Sequence, residues 1–68
     1  MSKQGPCLRV QLIRPNGEIT LTEEFTASVE AEARYKRLVE ACIKDRWLGA
    51  RVQCLNAVGG IVHERIIE

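Results

Sequence analysis

The sequence predicts an α+β domain of ββαββ order, a four-stranded sheet with one helix packed on one face. Three observations carry this. Leu8, Val10 and Leu12 alternate with Arg9 and Gln11, and Ile19 and Leu21 alternate with Glu18, Thr20 and Thr22, on either side of Pro15-Asn16-Gly17. Apolar residues then recur at helical spacing between residues 28 and 48. Finally, the phrase RVQLIRPNGEI (Arg9 to Ile19) returns as RVQCLNAVGGI (Arg51 to Ile61), with Arg, Val, Gln, Gly and Ile in register.

The first element pair is a hairpin with a mechanism behind its turn. Alternation of period two marks half-buried strands. Proline presets the first turn position, and Gly17 accepts the positive φ that closes a type I turn with a bulge. A bulged turn pairs Ile13 with Ile19, whereas the apolar pattern prefers Leu12 with Ile19. The period then changes. Thr26 or Ser28 can cap a helix by accepting hydrogen bonds from its first amides. Glu30 and Glu32 suit the positive end of the helix dipole, and Lys44 and Arg46 the negative end. Ala31, Tyr35, Leu38, Val39, Cys42 and Ile43 form the apolar stripe. Glu30–Arg34, Glu32–Lys36 and Glu40–Lys44 lie four residues apart on the other side, acid before base. Gly49 is the expected terminator. The second hairpin spans Ala50 to Ile67, with its turn near Ala57-Val58-Gly59-Gly60. Its last strand, IVHERII, carries apolar residues of both parities, as does a central strand or a strand whose second face meets a partner.

Tracing the chain gives two sheet orders. The fourth strand can lie parallel to the first (2-1-4-3), or the third antiparallel to it (2-1-3-4); the doubly apolar fourth strand favours the former. Residues 1–6 read as a flexible tail and 7–68 as a single domain. A core of this size leaves ~3–5 kcal/mol of net stability unless a staple or a partner adds to it.

The segment VQLIRPNGEITLTEEF, followed by an Ala/Glu-rich helix containing Tyr35, resembles the β-grasp domains of the bacterial immunoglobulin-binding proteins G and L. What the resemblance implies is the hairpin-helix-hairpin layout. Three cysteines set this chain apart from those cysteine-free domains.

Composition excludes several classes of function. The net charge of +1 is split. Residues 33–54 hold six bases against two acids, and residues 1–32 three bases against five acids. A nucleic-acid binder usually carries a stronger excess. Cys7, Cys42 and Cys54 are odd in number and widely spaced, a pattern that reads as reduced thiols in a cytoplasmic protein rather than a disulfide framework. No metal-ligand spacing occurs, so no metal is expected. No apolar run is long enough for a membrane span, and the first residues lack the apolar core of a signal peptide. Cys54 and His63, across the second hairpin, are the one nucleophile-base pair available. No acidic orienter or phosphate loop accompanies them, so neither catalysis nor a cofactor is expected.

The sheet face away from the helix is the candidate site. If Val10, Leu12, Val52 and Cys54 point at the helix, Arg9, Gln11, Arg51 and Gln53 point away. Arginine forks suit carboxylates and phosphates. Ile13 and Leu55 follow the inward residues and face outward by parity, as apolar anchors. Trp47, beside Arg46 at the helix end, has the composition of a partner hot spot. The expected function is a small non-enzymatic binding module that contacts a protein, itself included as a homodimer, through this face. The alternative is a nucleic-acid-associated accessory protein using the same arginines with Lys36 and Arg37.

Overall fold

The computed structural model describes residues 5–68, so most of the expected tail lies outside the described residues. It holds β1 (Arg9–Ile13), β2 (Ile19–Glu24), α1 (Ser28–Lys44), β3 (Arg51–Leu55) and β4 (Ile61–Ile66). All neighbouring strands are antiparallel, in the order β2-β1-β3-β4. This is the second of the two orders the sequence allows, so β4 is an edge strand. Its apolar residues of both parities have a local cause. The register shifts between Cys54 and Leu55, so that Cys54 lies opposite His63 but Leu55 opposite Ile61. Val62 is the extra residue of a β-bulge, and a bulge changes which face the following residues take. Ile61 and Ile66 therefore share a face although five positions apart, and Val62 packs against the core.

The sequence echo is a structural repeat. In the first hairpin, the Gly17 amide donates to the Arg14 carbonyl and the Arg14 amide to the Glu18 carbonyl, each at 2.8 Å. In the second, Gly59 donates to Asn56 at 3.1 Å and Asn56 to Gly60 at 2.8 Å. Gly17 and Gly59 have φ of 91° and 88°, the left-handed region that a side chain resists. Both hairpins then carry the same bulge: Ile13 pairs with Ile19 while Leu12 pairs with Leu21, as Leu55 and Cys54 pair with Ile61 and His63. The bulged pairing Ile13–Ile19 thus prevails over the one the apolar pattern prefers. β1 and β3 meet antiparallel with Gln11 opposite Gln53 at the centre. These two glutamines are equivalent in the repeat, so a pseudo-twofold axis passes between them.

The helix buries Ala31, Leu38, Val39 and Cys42 against Val10, Leu12, Val52, Cys54 and Ile67. Its ends differ from the sequence expectation. The N-cap is Ala27, with no side-chain cap, rather than Thr26 or Ser28. At the other end the Trp47 amide reaches the Cys42 carbonyl at 2.9 Å and the Arg46 amide that of Ile43 at 3.2 Å. That is a Schellman motif, with Arg46 at the left-handed position (φ 57°) where glycine is usual. The helix therefore stops at Lys44, before Gly49. Ile43, placed on the apolar stripe by spacing, is 46% exposed. Arg34 does not pair with Glu30 along the helix. It reaches Glu23 on β2 at 2.6 Å and ties the helix to that edge.

Cys7 and Cys54 form a disulfide, with their Cα atoms 5.7 Å apart. This corrects the reading of three reduced thiols. Wide spacing in sequence does not mean wide spacing in space. Leu8 still bonds to Leu55 in the ladder, which holds the residue before it beside the end of β3. Both cysteines are fully buried.

Candidate interaction face

One face of the sheet is covered by α1; the other is not. Directly opposite residues share a face, and residues along a strand alternate. The registers therefore place three rows on the uncovered side. Glu24, Arg9, Leu55 and Ile61 form the first, Thr22, Gln11, Gln53 and Glu64 the second, and Ile19, Ile13, Arg51 and Ile66 the third. Six of the seven residues singled out from the sequence are thus brought together: Arg9, Gln11, Ile13, Arg51, Gln53 and Leu55.

Their chemistry differs from the expectation of free guanidinium forks. Arg9 pairs with Glu24 at 2.8 Å, and Arg51 lies 3.6 Å from Glu64. The Gln11 amide donates to the Gln53 carbonyl oxygen, and the Gln53 amide donates to Glu64, both at 2.7 Å. Gln53 is only 7% exposed, the one buried polar residue among those described. Its neighbours cover it, and its amide bonds inside the network on both sides. The middle of the face is a satisfied polar ladder, and its charges offset one another.

The apolar surface sits at two corners related by the pseudo-twofold axis. Ile13 is half-buried beside Ile19, which is 55% exposed, and Leu55 is buried beside Ile61, which is 45% exposed. Leu55 is therefore a floor rather than an anchor, and the outward groups are Ile19 and Ile61. Simple alternation misses Ile61 because parity breaks at the bulge. The signal that finds it is the repeat itself, since Ile61 stands to Leu55 as Ile19 stands to Ile13. A third isoleucine, Ile66, is 44% exposed at a corner shared with Arg51.

The structure sets Trp47 apart from the other six. It packs against the core on the helix side, and the Arg14 guanidinium stands 5.4 Å from its ring centroid. It joins the first turn to the helix exit and closes one end of the core. An open depression of about 350 Å³ beside it is lined by Arg14, Pro15, Asp45, Arg46, Trp47 and Leu48. Arg14 there is already engaged with Thr20 and Glu18.

Cys54 and His63 face each other across the second hairpin as expected. The sulfur of Cys54 is bonded to Cys7, so it has no thiolate to offer. His63 instead stacks on Tyr35, with centroids 5.6 Å apart. Burial raises the Tyr35 pKa above its ordinary value, Arg65 opposing and Glu64 adding to the shift. The one free thiol among the described residues, Cys42, is buried, and burial followed by the charge of Asp45 pushes its pKa up, away from reactivity. No cluster of three or more metal-ligating side chains occurs among the described residues. No helix there is long and apolar enough to cross a membrane.

Compared with protein-family models, curated proteins and solved structures, the chain matches none. The resemblance to the domains of proteins G and L therefore remains one of element order.

Proposed function

We propose that this chain is a small non-enzymatic binding module that contacts a protein through its uncovered sheet face. The supporting observation is the pair of matched apolar corners, with Ile19 and Ile61 about half exposed on a face whose charges are internally paired. Exposed isoleucines beside charges that are already paired give a partner apolar side chains to cover without stripping water from a free charge. The alternative use of Arg9 and Arg51 for nucleic acid has less support. Glu24 and Glu64 sit against these arginines, and Lys36 and Arg37 belong to the helix on the other side of the sheet.

The expectation of a cytoplasmic protein drew in part on unpaired cysteines. A buried Cys7–Cys54 bond favours an oxidising compartment instead.

The test is a photo-crosslinking amino acid placed at 19, at 61, and at the exposed helix position 36, in cells that make the protein. Protein adducts from 19 or 61 and none from 36 support the reading. Adducts only from 36, or none at all, refute it. Retention on heparin or DNA that falls steeply with salt would instead favour nucleic acid.

A further inference from the structure

We infer that the occupant of the uncovered face is a second copy of this chain, packed sheet on sheet along the diagonal that joins the two apolar corners. This rests on the binding-face reading above and deepens it.

Three features point to self-association. The first is the repeat. The pseudo-twofold axis at Gln11 and Gln53 presents the Ile13/Ile19 corner and the Leu55/Ile61 corner as equivalents at a fixed separation. A second copy carries the same two corners at the same separation, so both can be satisfied at once. Symmetric homodimers use such self-complementary surfaces.

The second is charge. Arg9 and Arg51 are matched on the face by Glu24 and Glu64. A face without net charge does not repel its copy. When two such faces stack along the apolar diagonal, the Arg/Glu corners lie at the rim, where water still reaches them.

The third is shape. β2 and β3 are parallel and joined through α1, with β1 between them. Such a crossover is right-handed almost without exception. With the ordinary twist of strands, a sheet of that hand is a saddle. On its uncovered side the Leu55/Ile61 and Ile13/Ile19 corners rise, while the Arg9/Glu24 and Arg51/Ile66 corners fall away. Two saddles laid face to face with strands crossing steeply touch along one diagonal, and here the raised diagonal is the one whose ends are apolar. Ile66, although similarly exposed, sits on a corner that falls away.

The size of the face sets the strength. Four strands ~4.8 Å apart and five residues long at ~3.3 Å each give a face of roughly 19 by 17 Å. That is below the ~800 Å² per partner of a standard interface, so the dimer is weak and forms from micromolar to millimolar concentration.

The test is sedimentation equilibrium of the purified, oxidised chain from roughly 10 µM to 1 mM, the range such a small interface implies. It is repeated for Ile19→Lys, Ile61→Lys, Ile66→Lys and Leu48→Lys, all at exposed positions and each checked by circular dichroism. Expected is a monomer-dimer equilibrium whose dissociation constant rises at least tenfold for Ile19→Lys and Ile61→Lys and less than twofold for the other two. Amide shifts of the unaltered chain on dilution, which need no variant, should move around Ile13, Ile19, Leu55 and Ile61 and not along α1. A chain that stays monomeric to 1 mM overturns the inference, as does a dimer weakened by Leu48→Lys, or by Ile66→Lys as strongly as by Ile19→Lys. If it fails while position 19 crosslinks to a different protein, the binding face stands and only the second copy is lost.

Discussion

Reducing the Cys7–Cys54 bond should remove about half of this protein's stability. The bond closes a loop across a sequence separation of 47. By the chain-entropy account, a loop of that length removes about 4 kcal/mol of freedom from the unfolded chain. A domain of this size leaves only ~3–5 kcal/mol in all from its core. The disulfide is therefore of the same order as everything else that holds the fold, and reduction removes about half of the total, leaving the ~3–5 kcal/mol of the core. Urea unfolding followed through Trp47 emission reads this directly, because Trp47 packs against the core. With a slope of about 1 kcal/mol per molar urea for a chain this small, reduction should lower the midpoint by roughly 3–4 M. The control is a thiol count. Unreduced protein should take up one maleimide, at Cys42, and only once unfolded, since that thiol is buried. Three maleimides on protein made under oxidising conditions, or an unmoved midpoint after verified reduction, would refute the reasoning.

Further outcomes follow from backbone and polar geometry, all read by chemical denaturation. Arg46→Gly should stabilise by about 0.5–1 kcal/mol, because Arg46 occupies the left-handed cap position with φ of 57°. Gly17→Ala and Gly59→Ala should each destabilise by about 1–2 kcal/mol, and by similar amounts, since the two turns share one geometry. Gln53→Ala should destabilise by about 1–3 kcal/mol, since it strips hydrogen bonds from both Gln11 and Glu64. Gln11→Ala, which leaves the bond from Gln53 to Glu64 in place, should cost less.

Much of the fold was legible because short-range chemistry decided it. Pro15-Asn16-Gly17 fixes the first turn, and the change of period near Ser28 fixes where the helix begins. The register at Ile13–Ile19 follows from the turn glycine. What escaped was decided at longer range or by single residues out of pattern. Val62 is the extra residue of a bulge, so the strand's alternation misreported its place in the sheet. Arg46 adopts a conformation that propensity assigns to glycine, which ends the helix before Gly49. Cys7 lies outside every periodic segment, so nothing local announced its partner. At the candidate face, alternation placed Arg9, Gln11, Arg51 and Gln53 together, but not the acids beside them. Glu24 and Glu64 come from the outer strands, and only the register shows that they neutralise the arginines.

The equivalence of the two hairpins also bears on how nascent chains sort themselves. In β1, Gln11 is the middle residue of a strand that pairs antiparallel with its own counterpart. A β1 from a neighbouring molecule offers nearly the same ladder, Gln11 against Gln11, before β3 of the same molecule has been made. What tells the two apart is sulfur. Where β3 carries Cys54 for Cys7 to capture, β1 carries Leu12 at the matching place in the repeat. The covalent bond thus rewards strand pairing within one molecule and gives an intruding β1 strand nothing to fasten to.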